Sequence, residues 1–160
     1  MKKLALAAAI LALPVAAQAE DVVRHLTPGS TFPIARAVEV PAGKTTVYVS
    51  GMVPKVTNEA APKGSVESYG DMKTQTVSVL ESIEATLKDI DLTMGDVVKM
   101  QVYLVAPEGA AADFKGFMEG YTQFFGTEAQ PKLPARSAMI VDALVNPAWL
   151  VEIEVTAVRP

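Results

Sequence analysis

The chain contains no cysteine, and only one histidine and one tryptophan among its 160 residues. Without thiols it can form no disulfide, no thiolate metal site and no thiol nucleophile. The single histidine, His25, cannot build a zinc site alone, and its neighbours Arg24 and Leu26 suggest a strand edge. No basic run exceeds two residues, so the clustered Lys and Arg that bind a phosphate backbone are missing and nucleic acid is not an expected partner. There is no phosphate-binding glycine loop, no G-x-S-x-G elbow and no His-x-x-x-His pair. No metal or cofactor signature is left.

Long apolar runs are equally scarce. One occurs, from Leu4 to Ala17, after Lys2 and Lys3. It is shorter than the roughly 20 residues of a membrane span and contains Pro14. Ala17-Gln18-Ala19 gives the small-x-small pattern of a signal-peptidase site. The expectation is a cleavable signal peptide over residues 1–19, a mature domain over residues 20–160, and a protein exported to the periplasm or beyond, with no membrane attachment after cleavage. Removing Lys2 and Lys3 leaves 12 basic and 18 acidic side chains, a formal charge of −6. A domain of this size buries about two thirds of its unfolded surface and folds without staples.

Local periodicity supplies the elements. Val47 to Val53 is β-branched and aromatic, a strand; residues 54–70, with prolines, glycines and Asn58, form a loop. Thr76, Leu80, Ile83, Leu87 and Ile90 make one apolar stripe on a helix from Asp71 to Asp89. Over Val97 to Val105, Val98, Met100, Val102 and Leu104 face one side of a strand, and Lys99, Gln101 and Tyr103 the other. A second helix is expected over Ala111 to Phe125, with Phe114, Phe117, Tyr121 and Phe124 as a core-facing stripe. Two strands end the chain, Ser137 to Val141 and Trp149 to Val158, with a turn at Asn146-Pro147. In the last, Trp149, Val151, Ile153, Val155 and Ala157 face one side, and Leu150, Glu152, Glu154 and Thr156 the other. This order predicts an α+β fold, one mixed β-sheet with two helices on one face. The uncovered face and edges carry apolar side chains, which points to oligomerisation.

Three charged residues could carry chemistry. Pro131 and Pro134 stiffen the approach to Arg136 and Ser137. Arg136 is either a surface arginine with a packed stem or a rigid fork for a carboxylate. Glu152 and Glu154 share a strand face; they are either a solvated surface or a base beside a protected interface. If the last two strands form a hairpin centred on Asn146-Pro147, Arg136 lies opposite Thr156 or Ala157, and Glu152 opposite Ile140 or Met139. The two would then be roughly 13–17 Å apart along the hairpin, too far for a hydrogen bond. A shared reaction would need a bulge or a neighbouring chain.

Five segments, Tyr48-Val49-Ser50-Gly51-Met52-Val53-Pro54, Gly95-Asp96-Val97-Val98-Lys99, Tyr121-Thr122-Gln123-Phe124-Phe125, Pro134-Ala135-Arg136-Ser137 and Val151-Glu152-Ile153-Glu154-Val155, stand in an order and spacing that resembles the Rid (reactive intermediate deaminase, YjgF-like) family over residues 32–159. The resemblance implies a chorismate-mutase-like fold and a homotrimer with active sites between subunits. It also implies cofactor-free hydrolysis of enamines or imines of small carboxylates to 2-oxo acids and ammonia. On that template Arg136 grips the substrate carboxylate, Glu152 positions or activates water, and Ser50, Gly51 and Ser137 line the pocket. Three further pocket positions are apolar here: Ile34, Met118 and Ala138 stand where the best-studied branch has tyrosine, asparagine and often cysteine. Those replacements suit the alternative of a non-catalytic trimeric binding module, holding a small carboxylate or apolar metabolite in the intersubunit cleft.

Overall fold

A computed structural model describes residues 21–160; the leader expected over residues 1–19 lies outside them. Nine elements follow in order: strands β1 (Val23–His25), β2 (Ala37–Glu39) and β3 (Thr46–Met52), helices α1 (Val66–Tyr69) and α2 (Met72–Asp89), strand β4 (Val97–Val105), helix α3 (Phe114–Tyr121), and strands β5 (Ala135–Val141) and β6 (Val151–Val158). The main sheet has the order β3-β6-β4-β5 and is mixed, with β4 and β5 parallel and the other pairs antiparallel. α2 and α3 pack on one of its faces. The α+β architecture with two helices on one sheet face is therefore the observed one.

Helix α2 forms where its stripe predicts. Asp71 caps it, its side chain accepting from Thr74 N at 2.8 Å, and Val79, Leu80, Ile83 and Leu87 are fully buried. They meet Met100, Val102 and Leu104 of β4 and Val151, Ile153, Val155 and Ala157 of β6 in one core. Burying each such aliphatic side chain contributes roughly 1.5–3 kcal/mol. Helix α3 lies close against α2 because Gly120 has no side chain: a Cβ there would fall 2.8 Å from Thr76 Cβ.

Several boundaries differ from the sequence expectation. The loop 54–70 contains the one-turn α1. α3 is confined to Phe114–Tyr121 and starts at its cap Asp113, whose Oδ1 accepts from Gly116 N at 2.8 Å. Beyond it the chain turns into Gly126 at φ 73°, so the buried ring that continues the stripe is Phe125 rather than Phe124. β6 begins at Val151, leaving Trp149 in the preceding loop. A separate two-stranded sheet pairs β1 with β2, His25 opposite Ala37; strands this short carry no readable alternation.

The largest correction concerns the C-terminal hairpin. β5 and β6 run antiparallel but are not neighbours, because β4 lies between them: Arg136 pairs with Met100, and Glu152 with Tyr103. Residues 106–134, carrying α3, form a crossover that returns the chain parallel to β4, as a parallel pair requires. The Asn146-Pro147 turn reverses the chain, but the return strand passes β5's neighbour and pairs on its far side.

Candidate functional site

Side chains of paired residues share a sheet face. Arg136 pairs with the fully buried Met100, and Ala138 with the fully buried Val102, so both point to the helix side. Glu152 alternates with the fully buried Val151 and Ile153 and points to the helix-free side. Arg136 and Glu152 thus lie on opposite faces of the sheet with a strand between them. Their Cα atoms are about 14 Å apart by strand spacing and rise, and the two side chains cannot meet within one chain.

Arg136 occupies an aromatic cage. Its Cζ lies 4.4 Å from the ring centre of Tyr121, 5.0 Å from Phe117, 5.5 Å from Phe32 and 6.0 Å from Phe114. Its Nη2 donates to Met118 Sδ at 3.3 Å, a weak acceptor. Its Nη1 is buried with no hydrogen-bond partner. Among the described residues the ion pairs of lysine and arginine are Lys73–Glu119 and Lys115–Glu119, and Arg136 is in neither of them. Burial lowers its pKa, opposed by the nearby Tyr121. The Tyr121 hydroxyl is pushed up to about 12, chiefly by burial, so it stays neutral and supplies no counter-charge. It donates instead to Pro33 O at 2.8 Å. A desolvated guanidinium with unused donors and no acid partner is a ready anion site.

A second part-buried arginine, Arg24, shows the contrast. Arg24 also has a pKa lowered by burial, but it donates to three carbonyls, Leu133 O at 3.1 Å, Gly95 O at 2.9 Å and Val97 O at 3.1 Å. It ties β1 to the starts of β4 and β5 and has a structural role.

The helix-free face carries the second group. β3 bulges between Val49 and Met52, which places Ser50 and Gly51 out of register. The half-buried Glu152 carboxylate lies over Gly51, where an added Cβ would collide with Oε1. It accepts no side-chain hydrogen bond among the described residues, whereas Glu154 is bonded by Gln101. Ser50 opens on a hollow of ≈ 410 Å³ lined by Tyr48, Lys99, Gln101, Glu154 and Thr156. Ser137 pairs with Gln101 and faces the same side. Ile34 lines a separate hollow of ≈ 230 Å³ with Leu26, Phe32, Gly126 and Leu133.

The candidate residues therefore fall into two half-sites. Arg136, Met118 and Ala138 lie on one face; Ser50, Gly51, Ser137 and Glu152 lie on the other; Ile34 is set apart. The rings of Phe32 and Phe114 went unrecognised as site residues. The stripe of Phe114, Phe117 and Tyr121 is core, but the same rings also surround the guanidinium, and an arginine entering a strand after a run of prolines was the available hint.

Comparison with known proteins decides the family. A model described as endoribonuclease L-PSP, the YjgF/RutC/Rid group, matches residues 27–159. The chain belongs to this family. It is 34% identical over 113 residues to a RutC family protein of Pyrococcus horikoshii, covering 71% of this chain and 79% of that one. It is 32% identical over 132 residues to TdcF of Escherichia coli, which carries the name of a candidate reactive intermediate deaminase, covering 82% and 91%. The crystal structure of E. coli TdcF with bound serine superposes with a TM-score of 0.56 at 29% identity, covering 88% of this chain and 99% of TdcF. That of YyfB from Yersinia pestis, a Rid family protein of unknown function, gives 0.61 at 26% identity, covering 84% and 96%.

Proximity of Glu152 to Gly51 makes a test of the second half-site. Gly51→Ala is expected to displace the carboxylate and, if Glu152 serves the deamination proposed below, to cut that turnover by roughly tenfold or more, the scale of a mispositioned proton-transfer group. Gly51 is exposed, so thermal unfolding should move little. Full activity in a normally folded Gly51→Ala protein would remove Glu152 from the reaction.

Proposed function

We propose that the chain is a cofactor-free deaminase that hydrolyses 2-imino acids, or the enamines in equilibrium with them, to 2-oxo acids and ammonia. The observation that carries this is the half-buried Arg136, a cation with a buried, unpartnered Nη1 and no ion pair among the described residues. It would take the substrate carboxylate. Glu152 would receive a proton from water as the water oxygen bonds to the imine carbon and the C=N bond becomes C–N. The same proton then passes to nitrogen, giving a carbinolamine; its hydroxyl proton follows to nitrogen by way of the Glu152 carboxylate, the O–H electron pair forms the C=O bond, the C–N bond breaks and ammonia leaves. The serine held by E. coli TdcF supports a small carboxylate ligand. Ribonuclease activity, which the family model's description suggests, fits poorly with a formal charge of −6 after residue 19 and no basic cluster.

The active assembly on this reading is a homotrimer, exported to the periplasm or beyond, with each site built between two copies. Arg136 and Glu152 sit on opposite faces of one sheet, so only another copy can bring a glutamate to an arginine. The exposed Tyr48 on β3 and Ile140 on β5, at opposite sheet edges, supply apolar surface for such contacts. A second reading, a binding module without catalysis, draws on Met118, whose thioether occupies one donor of Arg136.

One experiment separates these. The purified assembly should release ammonia from transient 2-imino acids faster than buffer, and neither Arg136→Ala nor Glu152→Gln alone should do so well. Co-expressed, the two variants should regain roughly a quarter of the wild-type rate, because each mixed ring of three holds one intact site. Wild-type rates equal to buffer would leave only the binding module. Catalysis without regain on mixing would place the whole site in one chain.

A further inference from the structure

Resting on Arg136 as the carboxylate anchor, we propose that Phe32 is the specificity-determining residue of this site and that the substrate side chain it selects is aromatic. Of the four rings around the guanidinium, Phe117 and Tyr121 are fully buried and serve as floor and wall. Phe32 and Phe114 are 46% and 41% exposed, yet stand 5.5 and 6.0 Å from Arg136 Cζ. They form an apolar mouth over the guanidinium, and an exposed pair of rings beside a half-buried cation is a surface for recognition.

Phe32 is held in place rather than loosely draped. Pro33 O accepts from Tyr121 Oη at 2.8 Å, Ile34 N donates to Phe32 O at 2.8 Å, and Ala35 N donates to Pro134 O at 2.9 Å. The segment that carries the ring is thus fixed both to the cage floor and to the chain entering β5. A carboxylate bound to Arg136 brings its α-carbon substituent alongside these rings, within the 4.5–7 Å centroid range of aromatic pairs. Met118 Sδ, at the same edge of the guanidinium, suits an aromatic neighbour as well.

The cage offers nothing to a polar substituent. Of the five side chains around the guanidinium, only Tyr121 has a hydroxyl, and that is committed to Pro33 O. A hydroxymethyl or amide group would be desolvated there without a partner, at the usual penalty for buried polar groups.

The test is calorimetric titration of the intact assembly with stable 2-oxo acids: phenylpyruvate, 4-methyl-2-oxopentanoate and hydroxypyruvate. Phenylpyruvate should bind roughly fivefold or more tightly than the branched aliphatic acid, the scale of one added aromatic pair, and hydroxypyruvate weakest. Phe32→Ala should abolish the aromatic-over-aliphatic ratio, and Phe32→Tyr should keep it. Thermal unfolding of both variants checks that the fold persists. Arg136→Ala should weaken all three acids; if it leaves every affinity unchanged, the carboxylate anchor itself is refuted. If binding depends on Arg136 but the wild-type ratio is near one, or survives Phe32→Ala, aromatic selection by Phe32 is overturned alone.

Discussion

Arg136→Ala should lower kcat/KM for imine hydrolysis by roughly 10²–10³, the loss typical of one preorganised donor to a developing or bound anion. The size of the effect follows from the surroundings of the guanidinium. It is partly desolvated and has no acid partner among the described residues, so a carboxylate arriving there meets a charge with reduced water screening and no competing anion. Stability should respond very differently. A buried cation without a counter-charge is costly, and four rings pack around the arginine's head. Arg136→Met retains length and apolar contact while removing the charge. It should stay within about 1 kcal/mol of the parent or exceed it, with activity as low as that of the alanine variant. Arg136→Lys should recover little, because a compact ammonium cannot present the two-pronged face a carboxylate accepts. Measured kcat/KM and urea unfolding on the same preparations decide the matter. Activity loss proportional to stability loss across the three variants would make Arg136 a structural residue only.

The second large effect is expected far from that cage. Gln75 is fully buried in α2. Its Nε2 donates to Gly70 O at 2.9 Å and Ala148 O at 3.0 Å, and its Oε1 accepts from Leu150 N at 2.7 Å. One side chain therefore satisfies three backbone groups and clamps the loop that feeds β6, the strand carrying Glu152. Gln75→Leu fills the same space but strands all three. At about 1 kcal/mol or more for each buried unpaired group, the loss should be roughly 3 kcal/mol, a fall in Tm of about 10 °C for a domain of this size. Gln75→Glu gives the sign of a pH effect. The carboxylate would be buried against two carbonyl oxygens, which raises its folded-state pKa above the unfolded value. That variant should be more stable in acid and lose stability as pH rises through the raised pKa, opposite to the ordinary behaviour of a paired carboxylate. A Tm for Gln75→Leu within about 2 °C of the parent would show that water replaces the amide.

Gln75 also marks the limit of what the sequence discloses. The α2 stripe and the alternation of β6 are local patterns, each a consequence of side-chain period on one element, and both were legible. Gln75 looks like one more polar helix position until the loop at residues 146–150 arrives from more than 70 residues away. The neighbour of β5 was hidden for a similar reason: turn chemistry at Asn146-Pro147 sets the direction of the returning chain, not which strand receives it. Within the candidate site, Arg136, Glu152 and Met118 could be placed by resemblance, while the rings of Phe32 and Phe114 could not. Phe32 reaches Arg136 because Ala35 bridges to Ala135, a parallel contact across 100 residues that no spacing announces. The division of the site into two faces was equally invisible, since it depends on β4 standing between its two halves.

The position of β6 in the sheet governs when this protein can exist as a folded object. Val151–Val158 is the last of the described elements to be synthesised, yet it is hydrogen-bonded on both sides, to β3 and to β4. Until those eight residues are available, β3 has no partner in the main sheet, and α2 lacks the strand that brings Val151, Ile153, Val155 and Ala157 into the shared core. Synthesis proceeds from the N-terminus at roughly 5–20 residues per second, so β3, α2 and β4 are all made several seconds before the strand that closes their core. A keystone strand made last among the described elements acts as a timer: commitment to the native state is postponed until β6 is present.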